Sequence, residues 1–135
     1  MTSDRLAMVA AQCSWDRVQR RAREEWLDLM ADDVCIEDPI GVGPTNPTGE
    51  GYRGRAGAAK FWDSHVGMTE SIEVEAHESF VAGNESAHLL TLTTKFPNGM
   101  TTFVHGIFTY VVNEAGKFTN LRGHWSLDEM KVEKP

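Results

Sequence analysis

The sequence has few cysteines and no long apolar run. Its two cysteines, Cys13 and Cys35, are too few and too far apart for a disulfide framework or a zinc motif, so we expect two small buried residues. No apolar stretch reaches the roughly 18 to 20 residues that a membrane helix needs, and the N-terminus lacks the pattern of a signal peptide. We therefore expect no membrane span and a reducing, cytoplasmic location.

Basic residues are also scarce relative to acidic ones. The chain has 13 lysines and arginines against 20 aspartates and glutamates, which gives a formal net charge of -7. Nucleic-acid binding depends on basic side chains that neutralise phosphates, and an acidic surface repels them. We predict no nucleic-acid partner.

The usual signatures of metal, cofactor and nucleophile sites are missing as well. The string "GVGPTN" does not complete a dinucleotide-binding fingerprint, and no GxSxG string occurs. The histidines show neither HExxH nor another ligand spacing. We predict no metal site and no cofactor. The five histidines are His65, His77, His88, His105 and His124.

Helical spacing occurs in three segments of the first half. Leu6, Val9 and Cys13 repeat on one face of a predicted first helix, and further helices are predicted at 24–30 and 55–66. The stretch from 38 to 54 is rich in proline and glycine, which predicts an irregular loop at the edge of a pocket. The length of 135 residues suits one domain, residues 1–135.

The second half alternates with period two, which is typical of strands that are buried on one face. Three helical segments followed by a strand meander predict an α+β domain, with helices covering one face of a curved, mostly antiparallel sheet. Such a sheet forms a cone with a hollow interior. The predicted strands are 34–37, 72–80, 87–96, 101–112 and 118–127.

Strand alternation also groups aromatic residues into a possible binding wall. Val104, Phe108 and Tyr110 fall on one face of the long strand, and Trp125 falls on the corresponding face of the last strand. This wall would suit a flat hydrophobic ligand, although an ordinary filled core fits the pattern equally well. His105 falls on the opposite face, together with His124.

Asp38 is the acidic residue with the most informative position. It is adjacent to Glu37, so in strand geometry the two carboxylates point to opposite sides and cannot form a dyad. The following Pro39 restricts Asp38 to extended geometry, which would aim its carboxylate from a strand end into the cavity. A plain turn-forming aspartate is the alternative interpretation.

Four stretches spread over nearly the whole chain resemble the Δ5-3-ketosteroid isomerases of the nuclear-transport-factor-2-like, or SnoaL-like, superfamily, in an actinobacterial branch. They are "LMADDVCIEDPIG", "YRGRAGAAKFW", "VVNEAGK" and "LRGHWSLDEM". The resemblance implies a cone-shaped fold, a homodimer and a small, hydrophobic, steroid-like ligand. It also implies that Asp38, the aspartate before proline in the first stretch, is the general base.

In the family reaction, this carboxylate moves a proton from the carbon beside a ketone to a carbon two positions away, while a tyrosine and a protonated aspartate stabilise the ketone oxygen. The matching positions here hold Ser14, with Trp15 beside it, and Phe108, or Gly106 if the alignment is shifted by two residues, so neither family donor is present. Tyr110, the Trp15 indole or the Ser14 hydroxyl could replace them. Trp125 matches the aromatic residue that lines the family's pocket.

Three functions remain open from the sequence. The first is a steroid Δ-isomerase-like enzyme with weak activity, in which Asp38 is catalytic. The others are a non-catalytic binding protein for a steroid or another flat hydrophobic molecule, and a polyketide cyclase-like enzyme on the same scaffold. The predicted ligand-binding residues are Ser14, Trp15, Phe108, Tyr110 and Trp125.

Overall fold

The computed structural model describes residues 3–135. In this part of the chain there are three α-helices, and the third continues directly into a π-helical turn, Trp62–Val66. No helix of the described residues is long and apolar enough to cross a membrane. The helices are α1 (Ser3–Gln19), α2 (Arg23–Leu27) and α3 (Gly54–Phe61).

The strands form one curved, open, mixed sheet with the spatial order β2-β1-β6-β5-β4-β3, and β7 pairs with the beginning of β5. All neighbours are antiparallel except β1 and β6, which run parallel. The strands are β1 (Met30–Glu37), β2 (Tyr52–Arg53), β3 (Ser71–Ala82), β4 (Glu85–Lys95), β5 (Thr101–Val112), β6 (Phe118–His124) and β7 (Lys131–Glu133).

Helix α1 packs against β3, β4 and β5 through small side chains. Its buried residues are Ala7, Ala10, Ala11 and Ser14, whereas Val9, predicted to be buried, is 41% exposed. Alanine and serine let the helix axis approach the sheet closely. The buried face is therefore set by residue size, which hydrophobic spacing alone does not reveal.

The burial of β5 follows the predicted alternation. Val104, Phe108 and Tyr110 are buried on the inner face, and His105 is exposed on the outer face. His124 on β6 is also exposed. The helices and the inner face of the sheet enclose the hydrophobic core together with the cavity described below.

The predicted boundaries differ from the structure in several places. Helix α2 ends at Leu27 and not at 30, and strand β1 begins at Met30 and not at 34. The last strand ends at His124, where its pairing with β5 ends, and not at 127, which lies in a short 3-10 turn, Leu127–Glu129. The short strands β2 and β7 were not predicted, since two or three residues are too few to show alternation. The overall α+β architecture, with three helical segments on a mostly antiparallel sheet, agrees with the sequence prediction.

Candidate active site

The site begins where two neighbouring parallel strands end. Strands β1 and β6 pair with Glu37 opposite Arg122, so their carboxyl ends lie side by side. Asp38 is the first residue after β1, and Trp125 is the first after β6. The parallel pairing therefore brings together two residues that are 87 positions apart in sequence.

The Asp38 carboxylate is held by the Trp125 indole. Trp125 Nε1 donates a hydrogen bond to Asp38 Oδ1 at 2.6 Å. Burial raises the pKa of Asp38 to about 6, although the bond from Trp125 acts in the opposite direction. Asp38 thus has a pKa close to neutral, where a carboxylate is an effective general base.

Glu37 is held in a separate interaction. Arg122 Nε donates to Glu37 Oε1 at 3.1 Å, so the neighbouring carboxylates of Glu37 and Asp38 have different partners. Arg122 also borders the cavity.

The proline-rich loop after β1 fixes the backbone around Asp38. Thr45 Oγ1 donates to the Asp38 carbonyl, and the amide of buried Asn46 donates to the Pro39 carbonyl at 2.9 Å. The Ile40 amide donates to the Gly123 carbonyl at 3.0 Å, which ties the loop to β6. The loop predicted as irregular is therefore extensively hydrogen-bonded.

Gly123 gives Asp38 the space that it occupies. A Cβ built on Gly123 would lie 2.6 Å from Asp38 Oδ1, 3.0 Å from Trp125 Nε1 and 3.1 Å from Phe108 Cε1. Real Cβ atoms do not approach other atoms as closely as the first of these distances. The Asp38–Trp125 hydrogen bond thus depends on a glycine beneath it.

Asp38 faces a cavity of about 380 Å³ between the helices and the sheet. This volume is within the range of small-molecule sites, roughly 300 to 1,000 Å³. Most of the lining is aliphatic or aromatic, and the six residues predicted from the sequence all border the cavity. These are Ser14, Trp15, Asp38, Phe108, Tyr110 and Trp125.

Two hydroxyl groups in this cavity each accept a hydrogen bond from an indole. Trp15 Nε1 donates to Tyr110 Oη at 3.0 Å, and Trp26 Nε1 donates to Ser14 Oγ at 3.1 Å. Burial is the main reason that the pKa of Tyr110 is raised, and the nearby charge of Asp38 raises it further. The Tyr110 hydroxyl therefore keeps its proton at neutral pH.

A buried histidine supports the Trp15–Tyr110 pair from the sheet side. The His88 ring lies 4.8 Å from the Trp15 ring and 5.4 Å from the Tyr110 ring, measured between centroids. Its nitrogens are hydrogen-bonded to Ser79 and Ser86 at 2.7 and 2.8 Å. Burial lowers the pKa of His88 to about 4, so the ring is neutral at physiological pH.

His65 is a cavity residue that the sequence analysis did not select. It lies in the π-helical turn, and its Nε2 is 2.8 Å from the Tyr52 hydroxyl. Burial lowers the pKa of His65. Because His65 follows the buried Phe61 by four positions, helical spacing places it on the same face, and this spacing is the signal that could have identified it.

Within residues 3–135, no group of three or more His, Cys, Asp or Glu side chains is arranged to hold a metal ion.

Comparisons with known proteins agree with this fold. The model of the SnoaL-like domain family matches residues 11–121. No curated protein matches the chain.

Three solved structures have TM-scores of 0.89 to 0.90 to the chain. RV0760c from Mycobacterium tuberculosis, in complex with estradiol-17beta-hemisuccinate, is 45% identical over 97% of this chain and 99% of its own, with a TM-score of 0.89. The Delta 5-3-ketosteroid isomerase from Mycobacterium sp. is 44% identical over 98% of this chain and 100% of its own, with a TM-score of 0.90. A computationally designed 17-OHP binder is 43% identical over the same shares, also with a TM-score of 0.90.

Proposed function

Because the chain belongs to the SnoaL-like domain family, and because a carboxylate with a raised pKa faces its apolar cavity, we propose that it is a steroid-ketone isomerase-like protein. Asp38 is the general base of the proposed reaction. The observation that carries the proposal is the Asp38 carboxylate, held by Trp125 at the edge of an apolar cavity.

The reaction needs only one proton-transferring group. The Asp38 carboxylate accepts a proton from the carbon between the ketone and the double bond, and the electrons of the broken C–H bond move towards the ketone oxygen to form a dienolate. The resulting carboxylic acid then returns the proton to the far carbon of the original double bond. The double bond becomes conjugated with the ketone, and atoms and electrons balance without a cofactor.

The shape and lining of the cavity support a flat, mostly apolar ketone as ligand. The inner face of β5 supplies Phe108 and Tyr110, and Leu90 and Leu92 on β4 continue the apolar surface. The estradiol derivative bound by RV0760c and the steroid reaction of the Mycobacterium enzyme support the same ligand class, because each protein is more than 40% identical to this chain.

The second candidate function is non-catalytic binding of the same ligands. It is favoured because this chain lacks both the tyrosine and the protonated aspartate that, according to the family resemblance, stabilise the ketone oxygen in active isomerases. The corresponding positions hold Ser14, which has a short hydroxyl in place of the tyrosine, and Phe108, which has no polar group. Removal of one such donor typically lowers kcat by about 100- to 1,000-fold.

Turnover of a 5-ene-3-keto steroid distinguishes these functions. We expect wild-type protein to convert it to the conjugated enone, followed by ultraviolet absorbance, and Asp38→Asn to lower the rate by about 100- to 10,000-fold, the usual contribution of a general base. Asp33→Asn is the matched control, because Asp33 is an exposed aspartate of the same strand.

Binding measured by equilibrium dialysis completes the experiment. An isomerase requires that Asp38→Asn retains steroid affinity while it loses turnover. Tight binding by wild-type protein without enone formation would instead assign the chain to the binding proteins. A rate that Asp38→Asn leaves unchanged would show that another group is the base.

A further inference from the structure

The proposed reaction leaves the ketone oxygen without its usual hydrogen-bond donors. Negative charge develops on this oxygen when Asp38 removes the neighbouring proton, and this charge has to be stabilised by donors that are already oriented. The following inference rests on the proposed function, because it names the donor within the same site.

The direction of one hydrogen bond identifies a donor. An indole N–H can only donate, so in the 3.0 Å contact between Trp15 Nε1 and Tyr110 Oη the tyrosine oxygen is the acceptor. The Tyr110 O–H proton must therefore point elsewhere. Among the described residues, no protein group accepts this proton, and Tyr110 borders the cavity.

Tyr110 and the proposed base face the same cavity. The carbon that loses its proton is bonded directly to the carbonyl carbon, so base and donor must face atoms that are only two bonds apart. The Asp38 carboxylate lies over Gly123, which pairs with Phe108 on β5. Tyr110 is the next inward-facing residue of β5, about 7 Å further along the strand.

The surroundings of Tyr110 hold this geometry before a ligand binds. The phenol ring packs on Phe118 as well as on His88, with centroid distances of 5.4 Å for both pairs. Trp15, which determines the direction of the hydroxyl proton, packs edge-on against the same His88. The donor therefore belongs to a buried, hydrogen-bonded and stacked cluster.

We infer that the Tyr110 O–H group, directed into the cavity by the Trp15 indole, is the hydrogen-bond donor to the ketone oxygen of the ligand. It takes the place of the family's tyrosine and protonated aspartate, whose positions hold Ser14 and Phe108 in this chain. The tyrosine thus comes from strand β5, whereas the resemblance leads one to expect it on the first helix.

Infrared spectroscopy of a bound ketone tests the assignment without reference to turnover. The probe is testosterone, whose single carbonyl is a conjugated 3-ketone, with an 18O label to isolate its C=O stretch. We expect the stretch in wild-type protein to lie below its value in an apolar solvent. Tyr110→Phe, which removes one hydroxyl, should return it towards that value.

The chain contains a second tyrosine for a matched control. Tyr52→Phe also removes one hydroxyl, but Tyr52 contacts His65 and does not border the cavity, so the carbonyl stretch should stay as in wild type. Trp15→Phe leaves Tyr110 intact but removes the indole that orients its hydroxyl. The carbonyl stretch should therefore lie closer to its value in an apolar solvent than it does in wild type. Trp15→Phe thus tests whether the Trp15–Tyr110 hydrogen bond orients the donor, even if Tyr110→Phe folds poorly.

An unshifted stretch in wild type, or a shift that persists in Tyr110→Phe, would overturn the inference. A shift lost in Ser14→Ala and kept in Tyr110→Phe would assign the donor to Ser14 instead. If the shift depends on Tyr110 while no enone forms, the donor assignment stands and the isomerase function fails. If testosterone does not bind at all, both fail.

Discussion

At Asp38, two environmental effects act on one carboxyl group. Burial beside apolar side chains raises its pKa, and the Trp125 indole, which bonds to the ionised form, limits the rise to about 6. Because the ordinary value is 3.8, the folded protein holds this proton over about two pH units in which the unfolded chain has released it. Ionised Asp38 therefore lowers the free energy of unfolding.

Because asparagine does not ionise, Asp38→Asn is predicted to raise the unfolding free energy at neutral pH. The contribution of Asp38 to the unfolding free energy of wild type should fall as the pH rises from about 4 to about 6, by about 1.4 kcal/mol per unit, and then level off. The variant lacks this loss and keeps an oxygen for Trp125. We expect it to be more stable than wild type by up to about 3 kcal/mol at pH 7 and similar to wild type near pH 4.

Denaturant unfolding of both proteins at the two pH values measures this difference. The titration of His88 occurs in both proteins, so its contribution cancels. An Asp38→Asn variant that is equally stable or less stable at pH 7 would show that the wild-type carboxylate is not destabilised by burial.

Individual site residues were predictable to different degrees. Its position before Pro39 at the end of a strand made Asp38 a candidate, but only the family resemblance favoured a base over a turn former. Tyr110 and Trp125 followed from strand alternation. The Trp15–Tyr110 hydrogen bond joins residues 95 positions apart, and no local pattern indicates such a contact. His65 was missed for a different reason, because the histidines were considered only for metal-ligand spacing, although its distance of four residues from the buried Phe61 places it on the buried face.

Among the elements, the parallel pair β1 and β6 determines the site. Alternation predicted both strands from their own residues, but it contains no information about which strands are neighbours. The pairing places Asp38 over Gly123 at the point where both strands end. The contact between base and indole thus follows from sheet topology, which the sequence pattern alone did not specify.

Gly123→Ala is predicted to disrupt this contact. The added methyl group would overlap Asp38 Oδ1 and crowd Trp125 Nε1, so the carboxylate has to move. A displacement of about 1 Å can cost roughly 100-fold in rate, and we expect a loss of about this size in enone formation.

Gly67→Ala is the matched control for this substitution. Gly67 has a φ of -65°, which any residue adopts, and a Cβ there would meet no atom closer than 3.4 Å. Steady-state kinetics of both variants provide the comparison. Equal rates for Gly123→Ala and wild type would mean that the position of Asp38 does not depend on the space above Gly123.

For the whole molecule, the period-two pattern of the second half was sufficient to predict the α+β class. It could not decide between a filled core and a hollow one, because the same apolar inner face serves both. The structure has a cavity where the sequence left this choice open. The homodimer and the cytoplasmic location stay predictions.

The dependence of kcat/KM on pH tests the role of Asp38 most directly, because kcat/KM reports the pKa of the essential base in the free protein. For enone formation from a 5-ene-3-keto steroid, we predict a tenfold rise per pH unit below pH 6 and a plateau above it, since the pKa of Asp38 is about 6. A rate that is independent of pH from about 4 to 8, or the same inflection in the residual activity of Asp38→Asn, would contradict the assignment of Asp38 as the base.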